Sequence, residues 1–312
     1  MENMNRRFRY NRYSDYLQKK FGCRVYKISL DAGLSCPNRD GTISEDGCLF
    51  CDPQGGSGRR SARAQIPLKL QIQEGKLRLK IRYGAEKFMA YFQTFSNTYG
   101  PLAKLKTLYD EAVSDPDIVG LSIATRPDCL DDPVLDLIQD YQDKYDTWIE
   151  LGIQSLNEKS LSFIKRGHGV EEIYSAINTI KRRRIQVCAH LIVGLPNESL
   201  EDMLATIKGL NKHGIDAVKF HMLYITEHSG LLESYRTGKI SLLSQEEYVA
   251  KIAGLLENLN PSIVIQRLVS EAHPDILVAP DWLKQKARII HAIEQKLDEL
   301  DTHQGKLFPS PT

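Results

Sequence analysis

Long apolar stretches are absent from this chain of 312 residues. A membrane-spanning helix needs about 20 consecutive apolar residues, and the longest apolar runs here are far shorter. The N-terminus is polar and basic and has no apolar core of the kind that signal peptides contain. We therefore expect a cytoplasmic protein that has no contact with the membrane.

The chain also lacks an excess of either charge and has few cysteines. Its net charge is +1, so the total gives no reason to infer nucleic-acid binding. Of its six cysteines, Cys36, Cys48 and Cys51 lie close together, whereas the other three are scattered singly. This distribution does not suggest a disulfide framework, and it fits a reducing compartment.

The three clustered cysteines have the spacing C-x11-C-x2-C and precede a glycine-rich run at 55–58. The closely spaced pair can place two thiolates on one metal or cluster, and Gly41 and Gly47 let the loop fold back to bring the third. Three thiolates leave one position open, as in an iron–sulfur cubane with one free iron, whereas structural zinc sites normally have four protein ligands. A zinc knuckle completed by Cys23 remains an alternative.

Basic and aromatic residues alternate in the first segment of the chain, residues 1–22, which we interpret as an N-terminal arm. Basic side chains attract phosphate and aromatic rings offer stacking faces, so this composition is typical of an RNA contact. The residues predicted to contact RNA are Arg6, Arg7, Arg9, Arg12, Lys19 and Lys20. Ordinary solvated surface charge is the alternative interpretation.

Strand-like and helix-like segments alternate through the rest of the chain. The six predicted strands are 25–30, 87–95, 117–124, 148–153, 186–193 and 216–224. Repeated βα units imply a parallel sheet, so we predict an α/β fold, a partial (β/α)6 TIM-like open barrel over 23–230. Residues 231–312 are predicted to be a C-terminal α/β extension, with an edge strand at 262–269, a long helix at 281–300 and a polar tail.

Polar residues follow the carboxyl ends of these strands, where barrels of this kind carry their functional sites. Each predicted strand delivers some of them to the same end. They include Gln93, Asn97, Arg126, Glu150, Gln154, His190, Tyr224 and His228. We expect these side chains to meet at one mouth.

Five motifs in chain order resemble the radical S-adenosylmethionine (SAM) superfamily. They are the three cysteines with the glycine run, Thr125-Arg126-Pro127-Asp128, Glu150-Leu151-Gly152-Ile153-Gln154-Ser155, Lys165-Arg166-Gly167-His168 and His190-Leu191-Ile192-Val193-Gly194-Leu195-Pro196. They are similar to the branch shared by the elongator catalytic subunit and the oxygen-independent coproporphyrinogen oxidase. Within this branch the similarity is greatest to the YtqA/YhcC group, and it extends over nearly the whole chain.

The resemblance implies a [4Fe-4S] cluster held by Cys36, Cys48 and Cys51, SAM as the second cofactor, and an electron donor such as flavodoxin or ferredoxin. Arg166 is suited to the methionine carboxylate of SAM, and Gln93 with Ser96 or Asn97 to its amino group. Glu150 would bind ribose or act as a structural partner, and His190 is alternatively a core histidine. The residues implied to bind the cofactors are Gly55, Gly56, Gln93, Asn97, Glu150, Gln154, Arg166 and His190.

The elongator-like motifs and the basic arm together favour tRNA as the substrate. Within the YtqA-like group the implied reaction shortens a carboxymethylaminomethyl group on the C5 atom of a wobble uridine to aminomethyl. Candidate substrate contacts are Arg126, Tyr224, His228 and Arg267. Two alternatives remain, namely the same radical chemistry on a small metabolite or tetrapyrrole, and a zinc-stabilised RNA-binding protein without catalysis.

Overall fold

A computed structural model describes residues 8–52 and 66–309 of the chain. Strands and helices alternate along it as the sequence predicts. The strands are β1 (Val25–Leu30), β2 (Lys87–Phe92), β3 (Ile118–Thr125), β4 (Asp146–Gln154), β5 (Gln186–Val193), β6 (Ala217–Met222), β7 (Ile225–Thr226), β8 (Val264–Arg267) and β9 (Leu277–Ala279). The helices are α1 (Tyr13–Phe21), α2 (Leu68–Tyr83), α3 (Leu102–Val113), α4 (Asp132–Gln139), α5 (Glu158–Phe163), α6 (Val170–Arg182), α7 (Leu200–His213), α8 (Leu232–Arg236), α9 (Gln245–Asn258) and α10 (Lys286–Glu299). Short 3₁₀ helices occur at Pro127–Cys129 and Asp281–Gln285.

Seven of the strands form one parallel sheet in the order β1-β2-β3-β4-β5-β6-β8. The sheet curls into a half-barrel with helices around it, which confirms the predicted α/β class and the TIM-like open barrel. The last strand of this sheet, β8, is the predicted edge strand, and it pairs with β6. Because β8 lies beyond residue 230, part of the predicted extension belongs to the barrel sheet, and the domain boundaries stay a prediction.

Local capping signals explain where several helices begin. Ser199 forms a capping box with Asp202 at the start of α7, and Ser244 forms one with Glu247 at the start of α9. At α4 the cap is Asp131, whose carboxylate accepts a hydrogen bond from the backbone N–H of Val134, and not the neighbouring Asp132. Within the described ranges, no helix combines the length and apolar composition that crossing a bilayer requires.

Helix α1 closes the amino-terminal end of the barrel. Its buried Leu17 packs into an apolar layer to which Met89 and Trp148 belong. The rings of Tyr13 and Tyr16 meet Trp148 edge-on, with centroids 6.2 and 5.7 Å away. The aromatic rings of Tyr13 and Tyr16 therefore pack on the core and do not offer stacking faces to RNA bases.

The basic residues of this segment divide into paired and unpaired groups. Arg9 Nε lies 2.8 Å from an oxygen of Asp298, and the ammonium group of Lys20 pairs with Asp146. The guanidinium of Arg12 lies 3.8 Å from the centroid of the Phe8 ring, and Lys19 is exposed. RNA contact by these residues stays a prediction, and Arg6 and Arg7 lie outside the described residues.

The C-terminal segment returns to the barrel and is not the polar tail that we expected. Thr302 and Gln304 are buried. The Gln304 side chain donates hydrogen bonds to the carbonyl oxygens of Asn260 and Ile263, each at 2.8 Å. Its backbone N–H donates to the carbonyl oxygen of Arg9. Side-chain burial with satisfied hydrogen bonds thus fixes this segment against the N-terminal one.

The position of α1 predicts a stability effect. Replacing buried Leu17 with Ala should lower the free energy of unfolding by about 2–5 kcal/mol, because the cavity left in the apolar layer cannot fully collapse. Urea unfolding would measure the change. The matched control on the same helix, Lys19→Ala, alters an exposed side chain and should stay within about 0.5 kcal/mol of the wild type. If the free energy of unfolding of Leu17→Ala equals that of the wild type, the helix does not pack on the barrel as described.

Candidate active site

A cavity of about 510 Å³ lies at the carboxyl ends of the barrel strands. The cysteine loop and the segments that follow several strands form its wall, as the sequence predicted. The predicted site residues that line it are Cys36, Cys48, Cys51, Gln93, Arg126, Glu150, Gln154, Arg166, His190, Tyr224 and Arg267. The structure therefore brings most of the predicted site into one place.

Two predicted residues lie elsewhere. Asn97 does not line the cavity, because it is fully buried and its amide donates to the carbonyl oxygen of Ala124 at 3.0 Å. The neighbouring Ser96, the other half of that prediction, does line it. His228 is exposed outside the cavity. Gly55 and Gly56 lie outside the described residues.

The cysteine loop is held against the segment that follows α5. The Asn38 amide lies 3.2 Å from Cys48 Sγ and donates to the Lys165 carbonyl oxygen at 2.8 Å. Arg166 Nη1 lies 3.5 Å from the same sulfur, while its Nη2 donates to the Gly152 carbonyl oxygen at 2.6 Å. One arginine therefore links the cysteine loop to the end of β4.

A glycine makes this arrangement possible. A Cβ atom at Gly152 would lie 2.7 Å from Arg166 Nη2 and 3.1 Å from Gln154 Nε2. Gln154 itself has a φ of 72°, which turns the chain at the end of the strand. The glycine in the Glu150–Gln154 motif is thus required by the approach of Arg166.

The charges around the cysteine loop favour the thiolate form of Cys48. Burial alone would raise the pKa of Cys48, but the guanidinium groups of Arg166 and Arg126 and the hydrogen bond from Asn38 lower it below its ordinary value. Burial raises the pKa of Cys51 to about 11, although Arg39 opposes the shift. Positive charge beside Cys48 is suited to a metal ligand, because the thiolate is the form that binds.

Two arginine donors at the mouth have no partner. Arg126 forms a bidentate pair with Asp128, with distances of 2.8 and 2.7 Å. Its Nη1 atom and the Nε atom of Arg166 are buried without a hydrogen-bond partner among the described residues. Buried donors are normally satisfied, so these atoms fit an acceptor group of a ligand.

Cys23 cannot complete a metal site with the three clustered cysteines. It packs on the apolar layer at the amino-terminal end of the barrel, whereas the cysteine loop follows the carboxyl end of β1. The alternative of a zinc knuckle closed by Cys23 is therefore wrong.

Beneath the cysteines, every strand of the half-barrel contributes one inward side chain to a polar layer that we call the floor layer. Its members are Lys27, Tyr91, Ser122, Glu150, His190, Lys219 and Gln266. Tyr91 pairs directly with Ser122, and His190 with Lys219. Between β1 and β2, β3 and β4, and β4 and β5 the layer shifts along the register, as the stagger of a barrel requires. The apolar layer sealed by α1 lies below it.

Glu150 is at the centre of the floor layer and is fully buried. Its carboxylate pairs with the ammonium groups of Lys27 and Lys219. It also accepts a hydrogen bond from Ser122 Oγ at 2.6 Å and lies 2.7 Å from His190 Nε2. Both of its oxygens are engaged, so Glu150 is a structural partner and is not free to bind a ribose.

The electrostatics of the floor layer follow from burial and from neighbouring charges. Burial opposes the ionisation of Glu150, but Lys219 and Lys27 hold the pKa of its carboxyl group well below the usual range. Burial and the charge of Lys219 lower the pKa of His190 to about 4, against the opposing influence of Glu150. At neutral pH the layer therefore contains an ionised glutamate and a neutral histidine.

The oxygen, nitrogen and sulfur atoms of Glu150, Cys188 and His190 lie within 4.8 Å of one another. A cation there would be repelled by the two ammonium groups that already bind the glutamate. Burial also raises the pKa of the Cys188 thiol to about 12. These charges do not fit a second metal centre.

The sequence also places His221, at the end of the sixth predicted strand, at the mouth, and it lines the cavity. Sequence reasoning missed Lys27, Lys219 and Gln266, all of which lie in the floor layer. A usable signal was present, because Lys27, Glu150 and Lys219 each stand among apolar neighbours in a predicted parallel strand. Such strands are buried on both faces, and opposite charges in them predict an internal ion pair.

The buried imidazole of His221 predicts a pH effect. Burial and nearby cationic groups hold its pKa well below 6.5. The unfolded state therefore binds more protons below pH 6.5, and the free energy of unfolding falls as the pH drops. His221→Gln should weaken that fall by up to about 1.4 kcal/mol per pH unit. Urea unfolding at several pH values between about 6.5 and 4.5 would test this.

A matched control separates this effect from general acid sensitivity. His291→Gln changes an exposed histidine on α10 and should leave the pH dependence of the free energy of unfolding as in the wild type. Equal pH dependence in the His221→Gln variant and the wild type would contradict the prediction.

Comparisons with known proteins agree with this geometry. The family model described as "Radical SAM superfamily" matches residues 36–210, and "Radical_SAM C-terminal domain" matches residues 215–299. YtqA of Bacillus subtilis is 33% identical over 300 residues, which cover 96% of this chain and 93% of that protein. This similarity confirms the predicted group.

Two further comparisons concern elongator-like proteins. A protein named tRNA uridine(34) acetyltransferase from Methanocaldococcus infernus is 30% identical over 139 residues, which cover 43% of this chain and 25% of that protein. The solved structure of M. infernus Elp3 lacking residues 1–46 matches with a TM-score of 0.68 and 18% identity, covering 90% of this chain and 64% of that one. The chain thus spans less than two thirds of either protein, and the structural match shows a shared fold.

The superfamily match and the end-to-end similarity to YtqA overturn the alternative of a zinc-stabilised RNA-binding protein without catalysis. The chain belongs to the radical SAM superfamily, and it is an enzyme of the class that uses a [4Fe-4S] cluster and SAM.

Proposed function

We propose that this radical SAM enzyme acts on tRNA and shortens the C5 side chain of a wobble uridine from carboxymethylaminomethyl to aminomethyl. The observation that carries the proposal is the similarity to a protein named for uridine 34 of tRNA, together with the fold shared with archaeal Elp3. In net terms, water cleaves the bond between the side-chain nitrogen and the carboxymethyl carbon. The nitrogen keeps a hydrogen, the carboxymethyl group would leave as glyoxylate, and SAM would take up the two electrons released, becoming methionine and 5′-deoxyadenosine.

In this proposal Cys36, Cys48 and Cys51 hold the cluster. All three line one cavity and are free of disulfides, and the donors from Arg166 and Asn38 favour the thiolate form of Cys48. A reduced cluster, when bound, supplies the electron that splits SAM into methionine and a 5′-deoxyadenosyl radical.

The unpartnered donors of Arg126 and Arg166 fit the carboxylate of SAM, since buried guanidinium groups bind carboxylates strongly. Gln93 and Ser96 line the same wall and suit its amino group. Gln154 also lines the cavity, where the backbone turns after β4. These side chains orient the cofactor, and the closed lower end of the barrel keeps water from the reacting atoms.

A tRNA must approach from the mouth of the cavity, because α1 seals the opposite end of the barrel. Enzymes that modify a base take it out of the stack and into a pocket, and a volume of about 510 Å³ is within the usual range for a ligand pocket. Arg39 and Arg78 line the cavity without being fully buried. They offer positive charge to an approaching phosphate backbone.

Replacing any one of Cys36, Cys48 and Cys51 with Ala should abolish stable cluster binding, because two thiolates cannot hold a cubane of this type. Anaerobic reconstitution followed by iron and sulfide analysis would measure the loss. Cys23→Ala, at the other end of the barrel, should retain the full cluster content. Full iron and sulfide in a Cys48→Ala variant would contradict the assignment of the ligands.

The substrate can be tested with tRNA from a strain that lacks this gene. Reduced, cluster-loaded protein with SAM should convert carboxymethylaminomethyluridine to aminomethyluridine, as measured by mass spectrometry of the nucleosides. Reactions without SAM, and reactions with the Cys48→Ala variant, serve as controls and should show no conversion. If no wobble nucleoside changes with the active protein, tRNA is not the substrate.

A further inference from the structure

Three basic side chains lie in or beside the floor layer. Lys27, Lys219 and Arg267 have side-chain exposures of 14, 4 and 21%. The buried Glu150 pairs with both lysines, and burial lowers the pKa of Lys219 to about 7 although Glu150 opposes the shift. The carboxylate nearest to Arg267 is that of Glu271, which is 62% exposed, lies 3.8 Å from Arg267 Nη2, and is bound by Lys286 at 2.8 Å. Arg267 is therefore the cation here whose counterion is weakest, and a bound anion would stabilise it.

Arg267 is the cation of this group that faces the cavity. It lies on β8 and lines the cavity wall, whereas Lys27 and Lys219 are turned toward Glu150. Arg267 lies opposite Lys219 on the neighbouring strand β6. The guanidinium is therefore close to the floor layer, and it faces the cavity, where a ligand can reach it.

Two polar atoms beside Arg267 also lack a partner. His221 lines the cavity, and its Nε2 atom is buried without a hydrogen-bond partner among the described residues. The same is true of the amide nitrogen of Gln266, the neighbour of Arg267 on β8, whose oxygen accepts a hydrogen bond from Lys27 at 2.6 Å. Of the two, only His221 lines the cavity, so an acceptor bound there could satisfy its Nε2 atom.

We propose that Arg267 and His221 form a carboxylate-binding subsite at the floor of the cavity, and that the substrate presents a carboxylate there. The planar guanidinium fork binds a carboxylate with two parallel hydrogen bonds. The added negative charge would pair with the guanidinium of Arg267.

The subsite lies on a different wall from the cysteines. Arg267 lies on β8, at one edge of the open sheet, whereas the cysteine loop follows β1 at the other edge, and both line the same cavity. A carboxylate held at Arg267 would direct the carbon atoms attached to it toward the cysteine side. This inference deepens the proposed function, because the carboxymethyl group would supply the carboxylate, and to that extent it rests on that proposal.

The first test uses two synthetic anticodon stem-loops. One carries carboxymethylaminomethyluridine and the other carries the amide of the same group, which has nearly the same shape and no charge. We expect the wild type to prefer the acid in kcat/KM by roughly 10- to 150-fold, the effect of one charged hydrogen bond. Arg267→Met should reduce the preference to about one, and Arg267→Lys should restore part of it.

Several results would overturn the subsite. If Arg267→Met lowers kcat/KM equally for the acid and the amide, the arginine has a structural role. If the wild type has the same kcat/KM for both, the charge of the substrate is not recognised. A defect confined to the KM for SAM would assign the arginine to the cofactor. Arg288→Met, which changes an exposed arginine on α10, is the matched control and should keep the wild-type preference.

A second test does not depend on tRNA. N-methylglycine should raise the melting temperature of the cluster-loaded wild type at constant ionic strength, and dimethylamine, which lacks the carboxylate, should not. The shift should disappear in Arg267→Met and in His221→Leu and persist in Arg288→Met. If the shift is found but tRNA is not modified, the proposed function fails and the subsite stands. If tRNA is modified but Arg267→Met keeps both the shift and the acid preference, the subsite fails alone.

Discussion

The carboxylate of Glu150 is the interaction on which the rest of the barrel depends. Through it, side chains from β3, β5 and β6 meet the ammonium group of Lys27 on β1. Lys27 in turn binds Gln266 on β8, at the other edge of the open sheet. This hydrogen bond between Lys27 and Gln266 therefore joins the two edges that the barrel sheet leaves apart. Removing one partner from a buried ion pair costs about 3–5 kcal/mol, so the curvature of the sheet and the composition of its interior are linked.

The interior changes its chemistry from one end of the barrel to the other. Apolar side chains and α1 close the amino-terminal end, the charged floor layer follows, and the cysteines lie at the carboxyl end. A parallel sheet directs its loops to the carboxyl edge, which is why the cysteine loop and the Arg166 segment can meet. The closed lower end protects the ion pairs of Glu150 from water, and this makes them stronger.

Most of the fold could be predicted from sequence because strand and helix patterns are local. Strands β1 and β5 have the predicted bounds, and the capping box of Ser199 marks its helix. The packing of the N-terminal helix could not be predicted, because an alternation of basic and aromatic residues is typical of an RNA contact and also of a helix that packs on a core. Which of the two applies depends on Trp148, a residue far away in the chain. The resemblance located the cysteines and Arg166, but the pairing of Lys27, Glu150 and Lys219 depends on strand stagger, which single-strand patterns do not contain.

The distribution of unmatched donors suggests how one cavity serves two ligands. At the mouth, Arg126 and Arg166 have buried nitrogen atoms without partners, which suits the anionic end of the proposed cofactor. On the floor, Arg267 and His221 offer a second set of donors, and the charge of the Arg267 guanidinium attracts an anion. A substrate with a neutral side chain would leave the floor unpaired and would lose the energy of that contact. On the proposed assignments, the charge of the substrate determines how deeply it enters, and the depth of entry determines which of its carbon atoms lies nearest to the cysteines.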